Sequence, residues 1–119
     1  MEFLLAIEVR LPSHITEDER NRLIAAERLR GTELAAEGIL RAIWRVPGRF
    51  ANRAIWSAPD ATRLHESIVS LPLWPYLDIQ VTPLGRHDLA EQCLGLPPGL
   101  EIGREINGFV DSLEDTDGD

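Results

Sequence analysis

The sequence has little cysteine, little basic charge and no long apolar run, and each shortage excludes a class of protein. A single cysteine, Cys93, excludes an internal disulfide and fits a reducing compartment. The 12 basic and 20 acidic residues give a formal net charge of −8, which argues against nucleic acid and anionic membranes as partners. No apolar stretch approaches the length of a membrane span, and the N-terminus lacks the pattern of a signal peptide. We therefore expect a soluble, cytoplasmic protein.

Sequence motifs for metals and cofactors are also missing. The residues that could ligate a metal are scattered without metal-site spacing: His14, His65, His87 and Cys93. The sequence has no glycine-rich phosphate loop and no serine in a nucleophile elbow. We expect no metal and no cofactor, so that any chemistry falls to the side chains themselves.

Alternation of apolar and polar residues predicts four strands. They cover residues 3–9, 40–46, 50–57 and 77–81. Thr16 caps a first helix that Gly38 ends, and Asp60 caps a second helix of about ten residues. Pro47-Gly48 is typical of a turn between the second and third strands. The order βαββαβ predicts an α+β, ferredoxin-like fold with an antiparallel four-stranded sheet.

This arrangement leaves one face of the predicted sheet without helices. That face also carries apolar residues: Leu4 and Ala6 on the first strand, and Ile43 or Trp44 on the second. A small domain rarely exposes such a surface. We therefore expect the chain to form a homo-oligomer.

The chain divides into one domain and an extension. The predicted domain covers residues 1–88, and residues 89–119 form a C-terminal extension that ends in an acidic, disordered tail. Apolar residues at helical spacing occur within residues 102–113. This segment either packs on its own or a neighbouring subunit or forms a lid over the site.

Glu27 is a charged residue on a helix face that should be apolar. Three residues share its face on a helical wheel: Leu23, Gly31 and Leu34. Burial against the sheet would raise the pKa of the Glu27 carboxyl toward the range that suits a general base. The alternative is a position at the rim of that face, with an ion pair to Arg20 or Arg30.

Asn52 is likewise a polar residue on a predicted apolar face, here on the third strand. By period two, its side chain lies on one face with Phe50, Ala54 and Trp56. A buried amide needs hydrogen-bond partners. The protein or a ligand therefore has to supply the partner of Asn52.

A longer pattern runs through the middle of the chain. It comprises Trp44-Arg45, Gly48, Ala51-Asn52, Leu64-His65, residues 71–79 and Arg86-His87. The run at 71–79 reads Leu-Pro-Leu-Trp-Pro-Tyr-Leu-Asp-Ile, and it is the most specific part together with the Arg-His pair. In this order the pattern resembles the muconolactone isomerase family over about residues 1–88.

The resemblance implies a reaction and a set of roles. Members of that family move one proton in an unsaturated lactone with a carboxymethyl arm, converting muconolactone to 3-oxoadipate enol-lactone in aromatic catabolism. They need no cofactor and form symmetric assemblies, often decamers. The chemistry requires a desolvated base, a donor for the dienolate oxygen and a cation for the substrate carboxylate. We assign Glu27 as the base, Asn52 as the donor and Arg45 as the cation, with Arg86 as the alternative to Arg45. In the family, a Glu stands at the place that matches Glu27.

Four more residues complete the predicted site. Phe50, Trp56 and Trp74 would wall the pocket, and His65 is either a substrate contact or a structural histidine.

Three positions depart from the family pattern. Phe50 stands where Tyr is expected, Ala42 where His is common, and Arg49 where a smaller or neutral residue is expected. Two alternatives therefore stay open: a related isomerase or dehalogenase that acts on another lactone, and a non-catalytic, ligand-binding oligomer.

Overall fold

Four strands and two helices follow one another in the structure, a computed structural model that describes residues 1–93 of the chain. The elements are β1 (Glu2–Val9), α1 (Glu17–Ala36), β2 (Leu40–Arg45), β3 (Ala51–Ser57), α2 (Ala61–Val69) and β4 (Leu77–Leu84). Short 3-10 turns cover Trp74–Tyr76 and Ala90–Gln92. The predicted acidic tail and the apolar segment at 102–113 lie outside the described residues.

The strands form one antiparallel sheet in the order β2-β3-β1-β4. This confirms the predicted ferredoxin-like arrangement. The strand boundaries differ from the prediction by at most three residues. The largest difference is in β4, which continues to Leu84. No helix among the described residues is long and apolar enough to cross a membrane.

The core lies between one face of this sheet and both helices. Its largest fully buried side chains are Phe3, Leu5 and Leu34. Phe3 and Leu5 lie opposite Trp56 and Ala54 of β3, as the predicted alternation requires. Leu34 is the only residue of α1 that is buried. The N-terminal part of α1 therefore stands off the sheet, and this opens space between the two layers.

Both helices begin at the predicted caps. The Thr16 hydroxyl accepts a hydrogen bond from the Glu19 backbone N–H at 3.1 Å, and the Asp60 carboxylate accepts one from Arg63 at 2.8 Å. These bonds satisfy backbone donors that a helix start otherwise leaves unpaired. The tight β2–β3 turn contains Gly48 with a φ of 77°, a conformation that glycine adopts without steric strain.

A bulge in β2 decides which face each of its side chains occupies. Leu40 pairs with Trp56, and Ala42 already pairs with Ile55, so one extra residue interrupts the alternation. Beyond the bulge, Arg45 lies on the helix side of the sheet, opposite Asn52.

The same bulge settles which β2 residue faces away from the helices. Trp44 pairs with Arg53 and lies on the open face, whereas Ile43 pairs with Ala54 on the helix side. Trp44 is 49% exposed, and Leu4 of β1 shares its face. The open face therefore carries apolar surface that none of the described helices covers.

Candidate active site

A cavity of about 790 Å³ occupies the space where α1 stands off the sheet. Its walls come from α1, from the helix face of β2 and β3, and from the segment that follows α2. One end, here called the hairpin end, adjoins the β2–β3 turn and is lined by three exposed arginines: Arg20, Arg45 and Arg49. A fourth exposed arginine, Arg28, also lines the cavity. The other, inner end is lined by buried apolar side chains: Leu34, Trp56, Leu71 and Leu73.

Glu27 projects from α1 into this cavity wall. Its Oε1 accepts a hydrogen bond of 3.0 Å from the backbone N–H of Leu73. Burial raises the pKa of the Glu27 carboxyl above its ordinary value of 4.5, and the hydrogen bond from Leu73 opposes that shift only in part. The carboxyl is thus partly desolvated and is held at one of its two oxygens.

The predicted alternative, an ion pair with Arg20 or Arg30, is not formed within the described residues. Arg30 donates to the Ser70 hydroxyl at 3.0 Å and pairs with Glu33 at 3.5 Å. The Arg20 guanidinium lies 5.7 Å from the centre of the Phe50 ring, a cation–π distance. Glu27 is therefore left without a cation that would lower its pKa.

Asn52 and Arg45 are neighbours across the β2–β3 pair, and both line the cavity. The Asn52 Oδ1 atom is buried and has no hydrogen-bond partner within residues 1–93. The Arg45 side chain is exposed and takes part in none of the ion pairs of that part of the chain. Both groups are therefore available to a ligand.

Five of the eight predicted site residues line the cavity: Glu27, Arg45, Phe50, Asn52 and Trp56. Three do not. His65 is exposed on α2, and its ring meets Trp74 edge-on with the centres 6.0 Å apart. Arg86 follows β4 at the other edge of the sheet and is exposed. For these three residues, contact with a substrate stays a prediction.

Sequence reasoning did not place Arg20, Arg28 and Arg49 in the site. A signal for Arg20 was present, because Arg20 and Glu27 are seven residues, about two helical turns, apart and so share a face. No such signal existed for Arg49, because the position of its side chain depends on how the β2–β3 turn folds. There it forms an ion pair with Glu8 of β1, which also pairs with Arg10 at 3.2 Å.

The arrangement creates a local charge of the opposite sign to that of the whole chain. Four arginines and one glutamate line the cavity, and Glu8 offsets the charge of Arg49. An excess of positive charge remains there, although the net charge of the chain is −8. Such a cleft attracts anions. Within residues 1–93, no group of three or more His, Cys, Asp or Glu side chains is placed to hold a metal ion.

Comparison with known proteins identifies the family. Residues 1–90 match the family described as Muconolactone delta-isomerase. The chain belongs to this family. The family predicted from the residue pattern is thereby confirmed.

Individual relatives agree with this assignment. The chain is 36% identical over 87 residues to Muconolactone Delta-isomerase 2 of Acinetobacter lwoffii and to the same extent to Muconolactone Delta-isomerase of Pseudomonas aeruginosa. Each match covers 73% of this chain and 91% of the relative. A crystal structure of muconolactone isomerase superposes with a TM-score of 0.71 at 32% identity, over 81% of this chain and 97% of that one.

Replacing Glu27 by Gln should stabilise the protein, and more so as the pH rises. The folded state favours the protonated carboxyl because burial raises its pKa above 4.5. That contribution to stability is present in acid and is lost as the pH rises through the folded-state pKa. Gln does not ionise, and its carbonyl can still accept the hydrogen bond from Leu73.

Urea unfolding of both proteins at a series of pH values measures this effect. The free energy of unfolding of Glu27→Gln minus that of the wild type should grow as the pH rises above about 4.5. A difference that does not change with pH would contradict the buried, unpaired state of Glu27.

Proposed function

We propose that this protein is a muconolactone delta-isomerase that works without a cofactor. It shifts a proton in a carboxymethyl-substituted unsaturated lactone and converts muconolactone to 3-oxoadipate enol-lactone in aromatic catabolism. The observation that carries the proposal is Glu27, a desolvated carboxyl in the wall of a cavity rimmed by arginines. Membership of the family supports the choice of substrate.

Glu27 is the general base in this proposal. The lactone carbonyl, conjugated with the ring double bond, acidifies the ring C–H at the carbon that bears the arm. The carboxylate removes that proton, the double bond shifts, and the proton returns to the carbon next to the carbonyl. Because Leu73 holds Oε1, Oε2 is the oxygen free to carry the proton. The raised pKa of Glu27 suits both steps, since it makes the carboxylate a stronger base that can take the proton and still return it.

Asn52 and Arg45 bind the two polar parts of the substrate. Asn52 donates a hydrogen bond from its Nδ2 amino group, not from the acceptor Oδ1, to the lactone oxygen on which charge develops. Arg45 binds the carboxylate of the arm, and the other arginines at the hairpin end attract it. The cavity supports this division, because Arg45 lies at the rim and Asn52 lies next to it on the central strand β3.

Phe50 supports a second candidate within the same reaction class. Its ring lies under Arg20 at the hairpin end and has no hydroxyl to offer a ligand. The second candidate for the substrate is therefore a substituted lactone, including one that loses a halide after the proton is removed. Ultraviolet absorbance with muconolactone, together with chloride release from chlorinated lactones, tells the two apart.

Glu27→Gln should lower turnover of the active lactone by about a hundredfold or more, because Gln keeps the shape but cannot accept the proton. Glu33→Gln is the matched control. Glu33 lies on the same helix, outside the cavity, and pairs with Arg30. Initial rates of the two purified variants decide the role of Glu27, and near-normal turnover in Glu27→Gln would remove it as the base.

Asn52→Ala and Arg45→Ala should affect different kinetic constants. Loss of the donor at Asn52 should lower kcat by about ten- to a thousandfold. Loss of Arg45 should act mainly by raising KM. Arg63→Ala serves as the control, since Arg63 is an exposed arginine on α2 away from the cavity. Unchanged kinetics in both site variants would exclude them from the site.

The protein assembles, in this proposal, into a cytoplasmic homo-oligomer that is larger than a dimer, with a decamer as the proposed size. The apolar open face of the sheet, with Leu4 and the exposed Trp44, supports this. The family match ends at residue 90, which supports a domain at 1–88 followed by an extension at 89–119. Light scattering at micromolar concentration should give several times the chain mass of 13.3 kDa, and a monomer would refute the assembly.

A further inference from the structure

Trp56 carries a hydrogen-bond donor that no residue within 1–93 uses. The side chain is 3% exposed and forms part of the cavity wall. Its indole N–H at Nε1 is buried and has no acceptor in that part of the chain. A buried donor without a partner is unfavourable, and buried tryptophans usually find one. Phe would fill the same wall without that penalty, so the N–H calls for an acceptor that enters the cavity.

The neighbours of Trp56 explain why the protein itself supplies no acceptor. On β1, Trp56 lies opposite Phe3, and on β2 it lies opposite Leu40. Leu34 of α1 belongs to the same buried cluster. All three side chains are hydrocarbon, so none of them can accept a hydrogen bond from the indole N–H.

The position of Trp56 along the cavity defines which part of a ligand it meets. Asn52 and Trp56 are four residues apart on one face of β3, and only the methyl group of Ala54 lies between them. Arg45 lies opposite Asn52 and thus on the hairpin side. A ligand whose carboxylate binds Arg45 therefore extends along β3 past Asn52 toward Trp56, with Glu27 on the opposite wall.

We propose that Trp56 Nε1 donates a hydrogen bond to the ring carbonyl oxygen of the lactone. The inference rests on the proposed function and deepens it. Trp56 becomes a second donor, beside Asn52, for the oxygen that gains charge when Glu27 removes the proton. Nε1 is buried in this structure, so donation to a ligand requires the indole to turn toward the cavity. Because its N–H is already without water, it gives up little solvation on binding the oxygen.

Trp56 also becomes a residue that determines specificity. A site built around a buried donor rejects a ligand without the matching acceptor, since the donor then stays unpaired. The substrate class is accordingly a five-membered ring with a carboxylate arm at one end and a carbonyl oxygen at the other. A ring that lacks the carbonyl should bind poorly, even if its arm and size are the same.

Two unreactive ligands test this directly. The saturated lactone (5-oxotetrahydrofuran-2-yl)acetate keeps the carbonyl, and (tetrahydrofuran-2-yl)acetate lacks it. The wild type should bind the first more tightly by about tenfold or more. Trp56→Phe should lose most of that preference, and the donor at Asn52 should account for what remains. Trp44→Phe, on the open face of the sheet, is the matched control and should keep the wild-type ratio. A wild-type ratio in Trp56→Phe would overturn the proposal.

A second measurement covers the case in which Trp56→Phe does not fold. The chain has three tryptophans, so a protein with Trp44→Phe and Trp74→Phe keeps Trp56 as its only one. Its fluorescence emission should shift to longer wavelength with the saturated lactone and stay unchanged with the carbonyl-free ligand. The absence of any difference between the two ligands would overturn the proposal.

Turnover of muconolactone by the wild type separates this inference from the proposed function. If muconolactone is converted and Trp56→Phe keeps the binding ratio, the function stands and the role of Trp56 is wrong. If muconolactone is not converted but the ratio is largely lost in Trp56→Phe, the proposed function is wrong and Trp56 still recognises the carbonyl of a carboxylated lactone.

Discussion

The hydrogen bond from the Leu73 backbone to Glu27 joins two parts of the chain that are 46 residues apart. It connects α1 to the segment after α2, across the cavity from β3. One neutral donor offsets only part of the desolvation of a carboxylate, and the pKa of Glu27 accordingly stays raised. A hydrocarbon side chain at this position would stabilise the fold more. The position of Glu27 is therefore better explained by chemistry than by stability, and the helix that carries it is packed so as to leave room for a ligand.

The bulge in β2 is a second constraint on the site. Without the extra residue, strict alternation from Leu40 would put Trp44 on the helix side and Arg45 on the open face. With it, Arg45 lies beside Asn52 and Trp44 joins the open face. One local irregularity thus places a cation in the cavity and an aromatic ring on the surface proposed to bind a neighbouring subunit. The proposed roles of Arg45 in substrate binding and of Trp44 in assembly therefore depend on the same backbone feature.

The sequence predicted regular features well, because they follow from short-range periodicity. Period two located the strands, and the helical wheel placed Glu27 on the face that turns toward the sheet. The bulge escaped prediction because it is a single residue without glycine or another local marker, so Ile43 and Trp44 could not be distinguished. His65 and Arg86 lie away from the cavity because their positions depend on how α2 and the chain after β4 pack, which no periodicity encodes. The ion pair of Arg49 with Glu8 joins a turn to a strand and is equally non-local.

The distribution of polar groups between β3 and α1 matches what the reaction demands of each. β3 is a central strand, paired on both sides, so Asn52 stands on the part of the backbone that neighbouring strands hold most firmly. Donors to a developing charge work best when fixed in advance. In the proposed mechanism the base has a different task, because the same proton leaves one ring carbon and returns to another. Glu27 lies two helical turns before Leu34, the one buried residue of α1, and is held at a single oxygen. A fixed amide on the strand and a carboxyl with one free oxygen on the helix fit the proposed proton transfer, in which Glu27 serves two ring carbons in turn while the charged oxygen stays in place.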